Sequence, residues 1–229
     1  EGATVLDAQT GAYYTPITAL DFEGLYPSIM VAHNLCYSSI VLDKKYDNIP
    51  GVQYETFGEN RFAQNVPSLL PEILKELKQF RKKAKEDMKN AIGTPLEAIY
   101  NGRQLSYKIS MNSVYGFTGA TGGGMLPMVQ IASTVTMRGR QMIEETKNYI
   151  EANFEGAKVR YGDTDSVMVE FDTQGKKGQE AIECAWAQGE LAAEQCTKLF
   201  KAPNNLELEK VYCPYFLYSK KSYAARANR

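Results

Sequence analysis

Two carboxylates, Asp163 and Asp165, stand two residues apart between apolar stretches, and the second stretch alternates at the period of a strand. A third, Asp21, directly follows another apolar run. If these strands are neighbours in one sheet, the carboxylates converge and their repulsion calls for a cation. Oxygen ligands with open positions suit Mg²⁺, and two such ions can activate a hydroxyl and hold a leaving pyrophosphate. Read alone, the segment around Asp163 is also typical of a structural turn.

The elements that position these acids begin around Asp21. The pattern places Asp21 at the end of a strand and begins a helix near Pro27, because proline suits a first helical turn. The backbone amides of the Glu23–Tyr26 turn then lie ahead of a helix, where they can bind an anion.

A long helix is predicted from Ser68 to about Asn90. Its apolar stripe consists of Ile73, Leu77, Phe80, Ala84 and Met88. Its basic face consists of Lys75, Lys78, Lys82, Lys85 and Lys89, with Arg81 at the edge. Such a face is either an ordinary solvated surface or a binding site for phosphates.

A second helix is predicted from about Leu96 to Tyr115, with Gly116 as its C-cap. The short break before it makes the two helices an antiparallel hairpin. One face of the second helix carries a polar, aromatic and cationic set: Gln104, Lys108, Asn112 and Tyr115. The glycine-rich loop at 119–124 lacks the Lys-Ser or Lys-Thr of a P-loop.

The remaining chain is predicted to contain a helix at 130–153, the hairpin of Asp163 and Asp165, a helix at 180–200 and a strand at 205–212. The core candidates of the 180–200 helix are Ala185, Leu191, Ala192 and Leu199. Strands and helices mixed in this order predict the α/β (α+β) class.

Composition narrows the function classes. The chain has 229 residues, a formal net charge of −1 and ordinary apolar and charged fractions of 44% and 23%, so a disordered or fibrous protein is excluded. The absence of a net basic charge means that any contact with a polyanion is local. Four scattered cysteines favour free thiols in a reducing, intracellular compartment, and neither a signal peptide nor a membrane span is expected.

Three motifs resemble those of the family B DNA polymerases, in the family's order: Asp21–Ile29, Lys108–Gly116 and Tyr161–Ser166. The sequence at residues 26–36 and 101–104 is similar to that of the delta-type replicative enzymes of eukaryotes, and still more to that of polymerases of large DNA viruses that infect algae. The resemblance covers essentially the whole chain.

The resemblance implies a polymerase palm, with a mainly antiparallel sheet packed on helices, interrupted by a two-helix antiparallel fingers hairpin. Residues 1–66 would be the first part of the palm, 67–118 the fingers, and 119–229 the second part of the palm, ending at the start of the thumb. Family members also carry a proofreading exonuclease and a thumb. We expect neither in this chain, and we expect the isolated chain to be poorly active or inactive.

The resemblance also implies site residues. Asp21 and Asp165 would bind both metal ions with the Phe22 carbonyl, and Asp163 would be a neighbouring catalytic acid. Nucleotide binding would fall to Gly24, Leu25, Tyr26, Arg81, Lys85, Lys108 and Asn112, with Tyr26 excluding a 2′-hydroxyl. DNA binding would fall to Tyr115, Gly116, Lys220, Lys221 and Tyr223. Glu207 and Glu209 are either acids near the metals or solvated charges, and Ser222 stands where the family usually has Arg.

The implied activity is template-directed DNA synthesis with two Mg²⁺ ions, a dNTP and primer–template DNA, in the nucleus or at a cytoplasmic replication site if viral. A sliding clamp would bind through regions outside this chain. The alternatives are an RNA-making or RNA-directed polymerase, which also pairs Asp residues on a hairpin, and a DNA-binding or assembly module that has lost catalysis. Tyr26 and the Lys108–Asn112 spacing disfavour the first alternative, and the complete set of acids disfavours the second.

Overall fold

A computed structural model describes residues 5–120 and 128–228. The helices are α1 (Leu25–Ala32), α2 (Leu69–Asn90), α3 (Pro95–Gly119), α4 (Val129–Asn153) and α5 (Gln179–Thr197), with a short 3₁₀ turn at Lys44–Tyr46. The strands are β1 (Gly11–Tyr13), β2 (Ile17–Phe22), β3 (Tyr54–Phe57), β4 (Asn60–Ala63), β5 (Lys158–Asp163), β6 (Ser166–Glu170), β7 (Leu206–Ser219) and β8 (Ser222–Asn228). The predicted glycine-rich loop lies largely outside the described residues.

The chain divides into two compact units. The first comprises Glu1–Leu25 and Met137–Arg229, and the second comprises Tyr26–Thr136. The bounds of these two units differ from those predicted for the palm and the fingers, and the division into palm and fingers stays a prediction.

The first unit is built on a six-stranded sheet in the order β1-β7-β2-β6-β5, with β8 also paired to β7. All of its strand pairs are antiparallel, so the predicted mixed fold class with a mainly antiparallel sheet is confirmed. One face of the sheet packs on α5, where the Thr18 hydroxyl donates to the Ala185 carbonyl at 3.4 Å. Val167, Val169 and Phe171 are buried together, as their alternation predicted.

Small residues line the inner side of α5. Its buried positions are Ala181, Ala185, Gly189, Ala192, Ala193 and Cys196. Two of the predicted core residues are wrong, because Leu191 and Leu199 are 47% and 43% exposed. The helix lies so close to the sheet that a Cβ on Gly189 would come within 2.6 Å of Thr18 and of Leu208. Leu191 lies on the opposite side of the helix, and Leu199 lies beyond its end at Thr197.

The second unit contains α1 from Tyr26 onward, the β3–β4 hairpin, α2, α3 and the start of α4. The predicted helical hairpin is present, since α2 and α3 pack against each other. The buried residues of α2 are Pro71, Leu74 and Ala84, so the predicted apolar stripe does not coincide with the buried side: Ile73 is 36% exposed and Phe80 51%. A helix with one long neighbour buries only a narrow strip.

Two predicted helix boundaries also differ. Helix α1 begins at Leu25, two residues before Pro27. Helix α3 continues through Gly116 and ends at Gly119, so Gly116 is not its C-cap. The extra turn buries Thr118, whose hydroxyl donates to the Tyr115 carbonyl at 2.7 Å, and this packing outweighs the cost of a glycine inside a helix, about 1 kcal/mol.

Candidate active site

Three acidic residues, Glu207 of β7, Asp21 of β2 and Asp163 of β5, form an acidic row at one end of the sheet in the first unit. Register pairs Asp21 of β2 with Ser166 of β6 on one side and with Glu207 of β7 on the other. Ser166 in turn pairs with Asp163 of β5. Residues that pair directly across neighbouring strands point to the same face of a sheet. Glu207, Asp21 and Asp163 therefore share a face.

Asp165 joins this row through the backbone. Strands β5 and β6 are connected by only Thr164 and Asp165, and the Asp165 N–H donates to the Asp163 carbonyl at 2.6 Å. The Asp165 carbonyl then accepts from the N–H of Phe22 at 2.8 Å, which continues the β2–β6 ladder beyond Asp21. The backbones of Asp165 and of the Asp21–Phe22 end of β2, far apart in sequence, are therefore neighbours in space.

The turn itself is under strain. Thr164 has φ +49°, a left-handed conformation that is a genuine outlier for a β-branched residue. Such conformations persist only where the surroundings enforce them, and they concentrate at functional sites. Here the flanking ladder and the Thr164 hydroxyl, which donates to Asp163 Oδ1 at 3.0 Å, hold the turn.

The Asp163 carboxylate contacts one side chain of its own strand, Tyr161, and one of the turn between β7 and β8, Lys221. The Tyr161 hydroxyl lies 3.4 Å from Asp163 Oδ2, and Lys221 Nζ lies 4.0 Å from Asp163 Oδ1. Burial is the largest cause that raises the pKa of Tyr161, while the hydrogen bond from the Lys221 amide lowers it and the Asp163 carboxylate raises it. The phenol therefore keeps its proton at neutral pH and can donate it.

The two glutamates of β7 have different surroundings. Glu207 is exposed and accepts from the Asn205 side chain at 2.8 Å, within register of Asp21. Glu209 lies at a shift in the β2–β7 register, and its Oε1 is 3.9 Å from Lys210 Nζ. Glu207 is thus the one that lies in the acidic row.

The donors present suit a hard divalent cation. Asp21 and Asp165 offer carboxylate oxygens, Phe22 between them offers a carbonyl, and oxygen-only sets of this kind are what Mg²⁺ binds. Within residues 5–120 and 128–228, the side chains of three or more His, Cys, Asp or Glu residues do not gather closely enough to form a complete metal site. Further oxygens, such as those of substrate phosphates, would have to complete the coordination.

The second unit holds the polar residues of the helical hairpin. Arg81 Nε donates to Gln104 Oε1 at 3.2 Å, and this buried glutamine also donates to Asn101 at 2.9 Å. Lys108 and Asn112 are exposed on α3. The other predicted residues here are Lys85, which is partly buried, and Gly116, which is exposed.

Tyr26 and Tyr115 lie together in the same unit, with ring centroids 4.6 Å apart and planes at 48°. Burial raises the pKa of Tyr115, so its phenol stays neutral. Immediately before Tyr26 in the chain, Gly24 has φ +53°, which a glycine adopts without strain, and Leu25 opens α1.

Of the predicted DNA-binding residues, Lys220 and Lys221 form the turn between β7 and β8, and Tyr223 is the second residue of β8. Lys220 Nζ is 3.1 Å from Asp7, and Lys221 contacts Asp163. Tyr223 packs on Tyr215, with centroids 5.2 Å apart. Sequence reasoning named Tyr161 only as the first residue of the third motif and gave it no role, and it missed Gln104 as a partner of Arg81.

The chain belongs to DNA polymerase family B, whose sequence model matches residues 1–229. It is 47% identical to a DNA polymerase of Paramecium bursaria Chlorella virus NY2A, over 98% of this chain and 26% of that protein. It is 50% identical to DNA polymerase delta catalytic subunits of Glycine max and Arabidopsis thaliana, over 98% of this chain and 21% of each of those proteins. The family resemblance stated above is confirmed, and the chain spans about a fifth to a quarter of the length of these relatives.

Proposed function

We propose that the polymerase carrying this chain copies a DNA template by joining a dNTP to the 3′-hydroxyl of a primer. The observation that carries the proposal is the backbone contact that brings Asp165 next to the Asp21–Phe22 end of β2, the 2.8 Å bond from the Phe22 amide to the Asp165 carbonyl. Membership of DNA polymerase family B and the relatives' names, which are DNA polymerases, support it.

The acidic row supplies the metal-binding side chains. Asp21 and Asp165, with the Phe22 carbonyl, would hold Mg²⁺, in two sites that the substrate phosphates complete. When bound, Mg²⁺ lowers the pKa of the attacking hydroxyl and neutralises charge on the leaving pyrophosphate. Asp163 serves as a neighbouring acid.

The nucleotide is bound by amides and cations of this chain. The amides of Gly24 and Leu25 donate to the triphosphate, as amides at a helix start do. The ring of Tyr26 lies under the sugar and excludes a 2′-hydroxyl. The fingers residues that bind the triphosphate are Arg81, Lys85, Lys108 and Asn112.

Primer–template DNA is held mainly through its phosphates, and base choice comes from pairing geometry. Tyr115 and Gly116 lie beside the nascent pair, and the turn of Lys220, Lys221 and Tyr223 grips the duplex. In this assignment residues 1–66 and 119–229 belong to the palm, and 67–118 form the fingers.

Location and further partners remain part of the proposal. A replication site in the nucleus, or in the cytoplasm for a virus, fits the four free cysteines. Among the described residues, the helices are all too short or too polar to cross a membrane. A sliding clamp would bind outside this chain.

The test uses the full polymerase with Asp165→Asn or Asp21→Asn. Primer extension should fall by at least about a hundredfold, because the charge that holds the metal is lost, while binding of primer–template DNA in EDTA should persist. The matched control is Glu155→Gln, an exposed acid of the same unit, which should extend like the wild type. Unchanged extension by Asp165→Asn would contradict the two-metal proposal.

A second experiment distinguishes the proposed DNA polymerase from an RNA-making polymerase. The wild type should prefer dNTPs strongly over ribonucleotides, and Tyr26→Ala should narrow that preference because the ring no longer blocks the 2′-hydroxyl. Equal use of both nucleotides by the wild type would favour the alternative. Extension by the wild type at any measurable rate excludes a purely DNA-binding module.

A further inference from the structure

One tyrosine hydroxyl connects the acidic turn to the turn between β7 and β8. The backbone N–H of Lys221 donates to the Tyr161 oxygen at 2.6 Å, and the Tyr161 hydroxyl donates to Asp163 Oδ2 at 3.4 Å. These residues are 60 positions apart in sequence. The contact therefore joins two hairpins that are otherwise separate in the chain.

Lys220 and Lys221 form the entire loop between β7 and β8, since Ser219 pairs with Ser222. Lys221 has φ +63°, a left-handed conformation that is uncommon for lysine. Its side chain adds a second contact, with Nζ 4.0 Å from Asp163 Oδ1, and Lys220 Nζ lies 3.1 Å from Asp7. The loop is thus fixed by its backbone and by both side chains.

The ring of Tyr161 has little freedom to move its hydroxyl. Tyr161 is 2% exposed and belongs to a buried cluster that includes Tyr215 and Leu217 of β7. Tyr223, the second residue of β8, stacks on Tyr215 with centroids 5.2 Å apart and planes at 31°. The strands on both sides of the Lys220–Lys221 loop, β7 and β8, therefore pack on the cluster that contains Tyr161.

We infer that Tyr161 and Asp163 form a positioning bridge: they fix the Lys220–Lys221 loop, and hence the duplex it grips, relative to the metal-binding Asp21 and Asp165. This inference rests on the proposed function. It gives Asp163 a role distinct from that of Asp165. Asp165 is placed next to Asp21 by the β2–β6 ladder, whereas Asp163 contacts Tyr161, Thr164 and Lys221.

The test is Tyr161→Phe in the full polymerase, because phenylalanine keeps the ring and removes only the hydroxyl. Affinity for primer–template DNA, measured by fluorescence anisotropy in EDTA, should weaken about fivefold, the scale of one lost hydrogen bond. The KM for primer–template should rise by a similar factor. The turnover number at saturating DNA and the Mg²⁺ concentration for half activity should stay near the wild-type values.

Two further variants separate positioning from folding. Tyr149→Phe removes a comparable hydroxyl, which donates to Gln195 at 2.9 Å in the same unit, and it should bind DNA like the wild type. Asp163→Asn keeps an acceptor oxygen for Tyr161 and should retain more DNA affinity than Asp163→Ala. Tyr161→Phe should add little to Asp163→Ala, because both break the same bridge.

Two results would overturn the inference. One is a Tyr161→Phe enzyme that binds DNA as tightly as the wild type. The other is an Asp163→Ala enzyme with unchanged DNA affinity and a raised Mg²⁺ requirement, which would make Asp163 a metal ligand. Failure of the proposed function is a different result, since the wild type itself would then not extend a primer.

Discussion

Leu6 packs over Gly162, so closely that a Cβ at residue 162 would lie 2.7 Å from Leu6 Cδ1 and 3.0 Å from its Cγ. The Leu6 N–H also donates to the Gly162 carbonyl at 2.8 Å, and Val5 forms an isolated bridge with Asp163. The amino-terminal segment thus lies along the outer edge of β5, next to the acidic turn. A side chain at residue 162 would have to displace Leu6, which glycine avoids.

Gly162→Ala should destabilise the protein by about 1–3 kcal/mol, the usual cost of inserting a methyl group into a packed site. The measurement is the midpoint of urea unfolding. The same variant should reduce primer extension, because the added methyl group displaces Leu6, whose neighbour Val5 bridges to Asp163.

A variant of Leu6, the residue that packs on Gly162, is the control for this prediction. Leu6→Ala leaves a cavity and should itself cost about 2–5 kcal/mol, but it also makes room for the new methyl group at residue 162. The Leu6→Ala, Gly162→Ala double variant should therefore be less destabilised than the sum of the two single variants. Strict additivity would show that the steric contact with Leu6 is not the cause.

Two other glycines should respond to alanine in opposite directions. Gly189→Ala should destabilise by about 1–3 kcal/mol, because its Cβ would lie 2.6 Å from both Thr18 and Leu208 across the helix–sheet contact. Gly102 in α3 has open space and a helical conformation, so Gly102→Ala should stabilise by about 0.5–1 kcal/mol. Melting temperatures measure both, and equal shifts of the same sign would contradict the packing explanation.

Local patterns predicted the elements better than the contacts between them. The alternation of Val167, Val169 and Phe171 depends on a strand alone, and it appears in the structure as a buried face. The choice of Leu191 as a core residue depended on hydrophobicity, and it was wrong because Leu191 lies on the side of α5 opposite Gly189 and the other buried positions.

In the candidate site, too, local features could be predicted from the sequence and contacts between distant strands could not. The acids could be predicted because their chemistry and order are visible in the sequence. The strain at Thr164 and the bridge from Tyr161 to Lys221 depend on register between distant strands, which spacing does not reveal.

The cysteines should label with an alkylating reagent in an order set by burial. Cys196 is fully buried, and burial raises the pKa of its thiol to about 12, so at pH 8 only on the order of one molecule in ten thousand carries a thiolate. Cys184 is partly exposed. Mass spectrometry of the native protein should find Cys184 alkylated well before Cys196, and denaturant should abolish the difference. Faster labelling of Cys196 in the native state would contradict its burial.

Gln104 should matter for nucleotide use although it is buried, because its Oε1 accepts from Arg81 Nε at 3.2 Å and so orients a guanidinium proposed to bind the triphosphate. Gln104→Leu removes that acceptor and should raise the KM for dNTP about threefold to tenfold, with a smaller change in turnover number. Gln104→Glu keeps an acceptor oxygen and should restore most of the loss. Gln79→Leu on exposed α2 surface is the control, and a Gln104→Leu enzyme with wild-type KM would separate Gln104 from nucleotide binding.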